Sequence, residues 1–179
     1  MLHSNPPLSG MDQLIHKLKN EDENYARLSR GIQIFYWIMA PVYLIMVVLH
    51  AIEGSSLNEI LGGIFFFLAM LIFALFFRNY YKEYKYVDYS QPTLVMLKKA
   101  AYRYKPFQLK ILWAFLAVGF INAGLSLSAT HMADLLEIQL VFWSAMAMAV
   151  LIGLWRWKVR YKPIRDAALN MIREIEADY

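Results

Sequence analysis

Four long apolar stretches, with charges only at their margins, constrain this chain more than any other feature of its sequence. They cover residues 32–50, 58–77, 109–129 and 138–157. At about 1.5 Å per residue, a helix of about 20 residues crosses the ~30 Å hydrocarbon core of a bilayer. A water-soluble helix of that length would carry a polar face, which these stretches lack. The sequence therefore predicts an all-α integral membrane protein whose four transmembrane helices form one bundle.

The composition agrees with a membrane protein. Of the 179 residues, 59% are hydrophobic and 18% are charged, whereas soluble domains are about 25% charged. The chain has no cysteine, which excludes disulfides, thiol nucleophiles and thiolate metal sites. The first span follows 31 residues of mixed charge and is too long for the apolar region of a signal peptide. We therefore expect a multi-pass protein of the plasma or inner membrane.

The distribution of basic residues predicts the orientation. All 18 lysines and arginines lie before span one, between spans two and three (Lys110 at the border of span three), or from the end of span four onward. The two short loops, 51–57 and 130–137, contain acids but no base. Because positively charged segments remain on the cytoplasmic side, the sequence predicts an N-in, C-in topology with a cytoplasmic segment at 78–108.

The parts outside the spans show helical periodicity. Apolar side chains recur every three or four residues over 10–29, 93–104 and 164–178. We therefore divide the chain into an amphipathic segment 1–31, a membrane domain 32–157 and a C-terminal amphipathic helix 158–179. Such cytoplasmic amphipathic helices lie on the membrane surface or pack against each other.

Basic and aromatic residues concentrate at the cytoplasmic ends of the spans, where tyrosine and tryptophan are typical of an interfacial belt. Because the mixture follows the interface, we predict anionic lipid headgroups as partners, and no nucleic acid. A homo-oligomer or a cytoplasmic protein partner is also compatible with the amphipathic segments. The bases expected to contact headgroups are Arg78, Lys82, Lys98, Lys99, Arg103, Arg156 and Arg160.

The centres of the spans contain no ionisable residue, which argues against a transporter driven by protons or sodium but leaves a passive pore open. Asn122 is the strongly polar residue near a span centre. We expect it to form an interhelical hydrogen bond; the alternative is a substrate contact or a gate. Pro41 is expected to kink the first span.

Two histidine–acid pairs give the sharpest chemical hypothesis. His50 and Glu53 follow span one, and His131 and Asp134 repeat their spacing after span three. If spans one and three were neighbours, these side chains could bind a divalent metal, or the two histidines a haem. A histidine and an acid at a water interface need no ligand, so we predict no cofactor as the default.

The sequence favours a non-enzymatic scaffold or regulatory membrane protein. It contains no phosphate-binding glycine loop, no His-Glu-x-x-His and no Gly-x-Ser-x-Gly motif, so an enzyme is disfavoured though not excluded. Two alternatives remain. One is a small transporter or channel subunit that uses Pro41 and Asn122, and the other is a metal- or haem-dependent membrane enzyme.

Overall fold

A computed structural model describes residues 10–129 and 131–177; the ends of both predicted terminal segments, 1–9 and 178–179, lie outside it. The described residues form helices only: α1 (Gly10–Ile52), α2 (Leu57–Lys85), α3 (Thr93–Arg103), α4 (Ile111–Ser128), α5 (Met132–Arg156), a π-helical turn (Trp157–Tyr161) and α6 (Lys162–Ala177). Four helical runs are long and apolar enough to cross a membrane. They contain the predicted spans 32–50, 58–77 and 138–157, and the third run, Ile111–Ser128, covers all but the ends of the predicted span 109–129. The all-α membrane fold is therefore confirmed.

Two of these runs continue beyond the bilayer without a break. The amphipathic segment 10–29 and the first span are one 43-residue helix, α1, which continues through Pro41. The fourth span and the C-terminal amphipathic helix likewise form one 46-residue run, Met132–Ala177. The predicted boundary at residue 158 falls inside this continuous run, and the predicted C-terminal helix contains α6; the division of the chain into domains stays a prediction. A wider turn, in which Lys162 N–H donates to the carbonyl of Trp157, accommodates Pro163, whose missing N–H would otherwise interrupt an α-helix.

The turn between α1 and α2 is built locally. Gly54 has a φ of 72°, the left-handed conformation that glycine adopts without steric cost at a helix end. Ser56 then caps α2: its hydroxyl accepts from the Glu59 N–H, and the Glu59 carboxylate accepts from the Ser56 N–H at 3.0 Å. Because this turn brings α2 back antiparallel to α1, their apolar faces meet along the spans.

Three spans form the packed centre of the membrane domain, with α2 between α1 and α4. Glycines permit the close approach on both sides. A Cβ atom at Gly63 would lie 2.7 Å from Val47 of α1, and one at Gly124 of α4 would lie 3.0 Å from the carbonyl oxygen of Gly62. Small residues thus let backbones approach, as is common between membrane helices.

The fourth span packs much less against the rest of the protein than the other three spans do. None of the described residues of α5 is buried, and α5 contacts mainly α4 and the π turn that follows it. Its side chains are therefore available to lipid along nearly the whole span.

Outside the spans, the helix extensions pack into a second core. We call the region formed by residues 10–31, 78–110 and 157–177 the headpiece. The amphipathic helices were expected either to lie on the membrane surface or to pack against each other. In the structure they pack against each other. Their shared buried side chains come from four helices and the π turn: Leu14, Leu18, Ala26, Tyr84, Met96, Leu97, Ala100, Ala101, Tyr104, Tyr161, Ile164, Ala168 and Ile172.

Candidate functional site

A buried carboxylate organises the headpiece. Asp22 of α1 is 1% exposed. It accepts hydrogen bonds from the Tyr89 hydroxyl at 2.6 Å, from Arg103 Nη2 at 2.8 Å and from the Tyr104 hydroxyl at 2.6 Å. Three donors around one carboxylate offset its loss of hydration, which a single partner in a buried site seldom does. Asp22 thereby joins α1 to both ends of the α3 segment.

The C-terminal end of α3 is held from three further directions. The Tyr84 hydroxyl of α2 donates to the carbonyl of Arg103 at 3.2 Å, and Gln108 Nε2 donates to the same carbonyl at 2.7 Å. The indole N–H of Trp157, in the π turn, donates to the carbonyl of Tyr104 at 2.9 Å. Carbonyls at a helix end lack partners within the helix, so these bonds satisfy groups that would otherwise be orphaned.

Several tyrosines expected in an interfacial belt lie inside the headpiece instead. Tyr84, Tyr104 and Tyr161 are at most 8% exposed. Tyr25 stacks on Tyr84 with ring centroids 4.5 Å apart, and Tyr104 stacks on Tyr161 at 5.7 Å. For Tyr84, Tyr104 and Tyr161 the belt interpretation is wrong, because hydrogen bonds and ring stacking hold them in a protein core.

The seven bases expected to contact lipid headgroups differ in their surroundings. Arg103 is 9% exposed and pairs through Nη2 with Asp22 at 2.8 Å, and its contact with lipid stays a prediction. Arg160 pairs with Glu21 of α1 at 2.9 Å, and Lys98 pairs with Glu176 of α6 at 2.7 Å. The remaining four are exposed: Arg78, Lys82, Lys99 and Arg156.

At the opposite end of the spans, the structure shows where the two histidine–acid pairs lie. His50 Nδ1 shares a hydrogen bond with the Ser55 hydroxyl at 3.0 Å, and His131 is the residue before α5, with Asp134 in its first turn. Residues 10–129 and 131–177 contain no cluster of three or more His, Asp or Glu side chains placed to hold a metal ion. The metal or haem site at His50, Glu53, His131 and Asp134 stays a hypothesis from the sequence.

Asn122 lies in the polar contact between α4 and α5. Its side-chain amide donates to Gln139 Oε1 at 2.8 Å, and Gln139 Nε2 donates to the Ser126 hydroxyl at 2.9 Å. The Trp143 indole donates to the same Gln139 oxygen at 3.0 Å. These bonds fasten α5 to α4 near the turn that joins them.

At the headpiece end, a crevice separates the same two helices. Its volume is about 360 Å³. The first turns of α4 form one wall and the last turns of α5 the other, and headpiece residues close the top. It holds the bases Arg103, Lys105 and Arg156, and apolar side chains that include Phe115 and Leu154. Here the apolar spans meet the basic headpiece, as the sequence predicts, but the crevice itself depends on helix packing that sequence spacing does not reveal.

Alkaline pH is expected to destabilise the headpiece. Burial and the neighbouring Asp22 carboxylate raise the pKa of Tyr104 above its ordinary value of 10.0, and those of Tyr84 and Tyr89 are raised chiefly by burial. Since the folded state holds these protons more tightly, their stabilisation is fully present below pH 10 and is lost as the pH rises toward the raised pKa values.

The measurement is the free energy of unfolding from about pH 8 to about pH 12, with tyrosinate absorbance as a second signal. Tyr104→Phe should reduce the alkaline loss, whereas Tyr102→Phe, at a residue 58% exposed, should not. An identical pH dependence in both variants would contradict this explanation.

The sequence comparisons identify the membrane domain. Residues 14–157 match the family described as mechanosensitive ion channel inner membrane domain 1. The match runs from the first turns of α1 to the start of the π turn, and α6 lies beyond it. Comparisons with curated proteins and with solved structures found no match. Because the matched residues cover most of the chain, this protein belongs to the mechanosensitive ion channel inner membrane domain 1 family.

Proposed function

We propose that this chain is a membrane-embedded channel subunit that responds to changes in the bilayer. The observation that carries the proposal is the exposed fourth span: none of the described residues of α5 is buried. The family relationship to mechanosensitive channels supports it. Spans without ionisable residues at their centres also support it, because they argue against an ion-driven transporter and leave a passive pore open.

In this proposal α5 is the helix that moves when the bilayer changes. The helices α1, α2 and α4, which we call the frame, stay in place. A helix surrounded by lipid follows changes in bilayer thickness by tilting, at a cost of only fractions of a kcal/mol per Å of mismatch. The frame resists such movement, because Gly63 and Gly124 hold α1, α2 and α4 in close contact. The polar contact at Gln139 restrains one end of α5, and the Trp157 hydrogen bond restrains the other.

Within this proposal the headpiece faces the cytoplasm. Its support is the charge distribution: every lysine and arginine of the chain falls within the headpiece sequence or directly beside it, and the opposite loops have none. A cysteine placed singly in this cysteine-free chain, at exposed Lys85 or at exposed Glu53, would test the sidedness. An impermeant thiol reagent added outside intact cells should label only the Glu53→Cys variant.

The channel proposal is tested by reconstituting the full chain in liposomes and applying suction to excised patches. We expect currents that open with tension. Gln139→Leu removes the polar contact between α5 and α4, so it should lower the tension needed for opening by an amount equivalent to about 1 kcal/mol of gating energy. Leu140→Ala is the matched control, because Leu140 is 70% exposed on the same helix.

The opposite result has a definite meaning. If no current appears up to the tension at which the patch ruptures, the chain is not a channel by itself. The non-enzymatic scaffold or regulatory role expected from the sequence then becomes the better account, with the headpiece as its interaction domain.

A further inference from the structure

We propose that the crevice between α4, α5 and the headpiece is a binding site for one anionic phospholipid, taken from the leaflet that borders the headpiece. The inference goes beyond the proposed channel function and does not depend on it, because it is tested by binding and not by conduction.

The position of the crevice suits a lipid. Ile111 and Phe115 belong to the first turns of α4, and Gly153 and Leu154 to the last turns of α5. In both helices this is the end at which the apolar span gives way to basic residues. A ligand there has its polar part at headgroup depth and its apolar part among hydrocarbon, and an entering chain would come sideways from the bilayer.

The charge of the crevice is one-sided. Lys105 and Arg156 are both exposed, and among the described residues that line the crevice none is Asp or Glu. Two larger clefts of the headpiece, of about 550 and 440 Å³, differ in this respect, because Asp88 lines the first and Glu23 the second. The buried Asp22 carboxylate behind this lining is paired with Arg103, so Lys105 and Arg156 are the charges that attract an anion to the crevice.

Two polar atoms at the crevice lack partners. Arg103 is 9% exposed, and its Nε–H finds no acceptor among the described residues. Gln108 Oε1 is also buried there without a donor. Buried polar atoms without partners are rare in native structures and call for a ligand or water to satisfy them. Both side chains belong to residues that line the crevice, so the phosphodiester and hydroxyl groups of a lipid headgroup bound there would lie near these two atoms.

The opposite part of the crevice is apolar and has room for an acyl chain. Phe115, Val150 and Leu154 contribute to it, and a Cβ atom at Gly153 would meet nothing within 4 Å. Since α5 lacks buried residues along its described length, lipid can enter this space without breaking a protein core. Charge at one end and an apolar slot at the other match the two parts of a phospholipid.

The first test is lipid retention by the purified full chain. Native mass spectrometry would count the lipids retained after titration with phosphatidylglycerol or with phosphatidylcholine of the same acyl chains. We expect one phosphatidylglycerol to bind preferentially. In the double variant Lys105→Gln/Arg156→Gln its affinity should fall about 25-fold, because each base near the headgroup contributes about fivefold.

The matched control removes the same charge nearby. Lys82→Gln/Lys158→Gln alters two exposed bases that do not line the crevice. If both double variants lose affinity equally, or if the two lipids bind equally, the attraction is general and the proposed site is wrong.

A second variant tests the apolar part without changing charge. Gly153→Leu places a side chain in the open space of the crevice, so it should displace the bound lipid and leave the fold intact. Gly119→Leu, at another position where a Cβ atom has no neighbour within 4 Å, should retain the lipid. If Gly153→Leu retained the lipid at the affinity of the unaltered chain, with an unchanged unfolding temperature, the site would be overturned.

Discussion

Replacing Asp22 with asparagine is expected to unfold the headpiece while leaving the four spans in the membrane. The substitution leaves the guanidinium of Arg103, which is 9% exposed, without a buried counterion. It also weakens the hydrogen bonds accepted from Tyr89 and Tyr104. Loss of one partner from a buried ion pair costs about 3–5 kcal/mol, a large fraction of the stability of a small packed unit.

The measurement is limited proteolysis of the protein in lipid, combined with its unfolding temperature. The basic headpiece should become sensitive to trypsin, whereas the spans should stay protected. Asp166→Asn is the control, because Asp166 pairs with Lys162 at 3.6 Å with both side chains about half exposed, and such pairs contribute little. The Arg103→Met change should partly restore the Asp22→Asn variant, because it removes the uncompensated charge. A double variant less stable than Asp22→Asn alone would contradict the buried-pair explanation.

Replacing Gly124 with leucine is expected to have the second large effect, this time within the membrane. A Cβ atom there would lie 3.0 Å from the carbonyl oxygen of Gly62 and 3.1 Å from the ring of Phe66. The carbonyl belongs to the backbone of α2 and cannot rotate away, so α2 and α4 must separate. Overpacking of this kind costs about 1–3 kcal/mol or more.

Unfolding of the detergent-solubilised protein would measure this cost. Gly119→Leu makes the same chemical change on the same helix at a position with open space, so it should leave the stability nearly unchanged. If the two leucine variants were equally stable, the close approach of α2 and α4 would not be a determinant of the fold.

The spans could be predicted because the bilayer imposes a length and an apolar composition on each helix separately. The packing of those helices could not. A span that contacts lipid and a span that contacts protein have similar side chains, so nothing in the composition of residues 138–157 shows that α5 lies apart from the frame. The contact between Gly62 and Gly124 could not be predicted either, because the two residues are far apart in sequence. Gly119 and Gly153 have open space around them, so small residues alone do not identify an interface.

One sequence pattern in the headpiece indicates a buried acid, although it was not used as a prediction. Leu14, Leu18, Asp22 and Ala26 recur every fourth residue and are all buried on one side of α1. An acid in such a series predicts a buried partner. The base that pairs with this acid could not be predicted, because Arg103 lies 81 residues away and resembles the exposed bases around it in sequence. Helix continuity was also beyond prediction, since Pro163 normally ends or bends a helix.

Each of the two uninterrupted helical runs is a stiff rod that carries a change of tilt in the membrane into the headpiece. Residues 10–31 of α1 extend about 33 Å beyond its span, and α6 extends the run of α5 in the same way. A tilt of about 10° within the bilayer would move the far end of such an extension by about 6 Å. Arg160, in the π turn after α5, forms an ion pair with Glu21 of α1. Unequal tilts of α1 and α5 would therefore strain this ion pair. The headpiece is therefore where a small change of angle in the membrane becomes a displacement the size of a side chain.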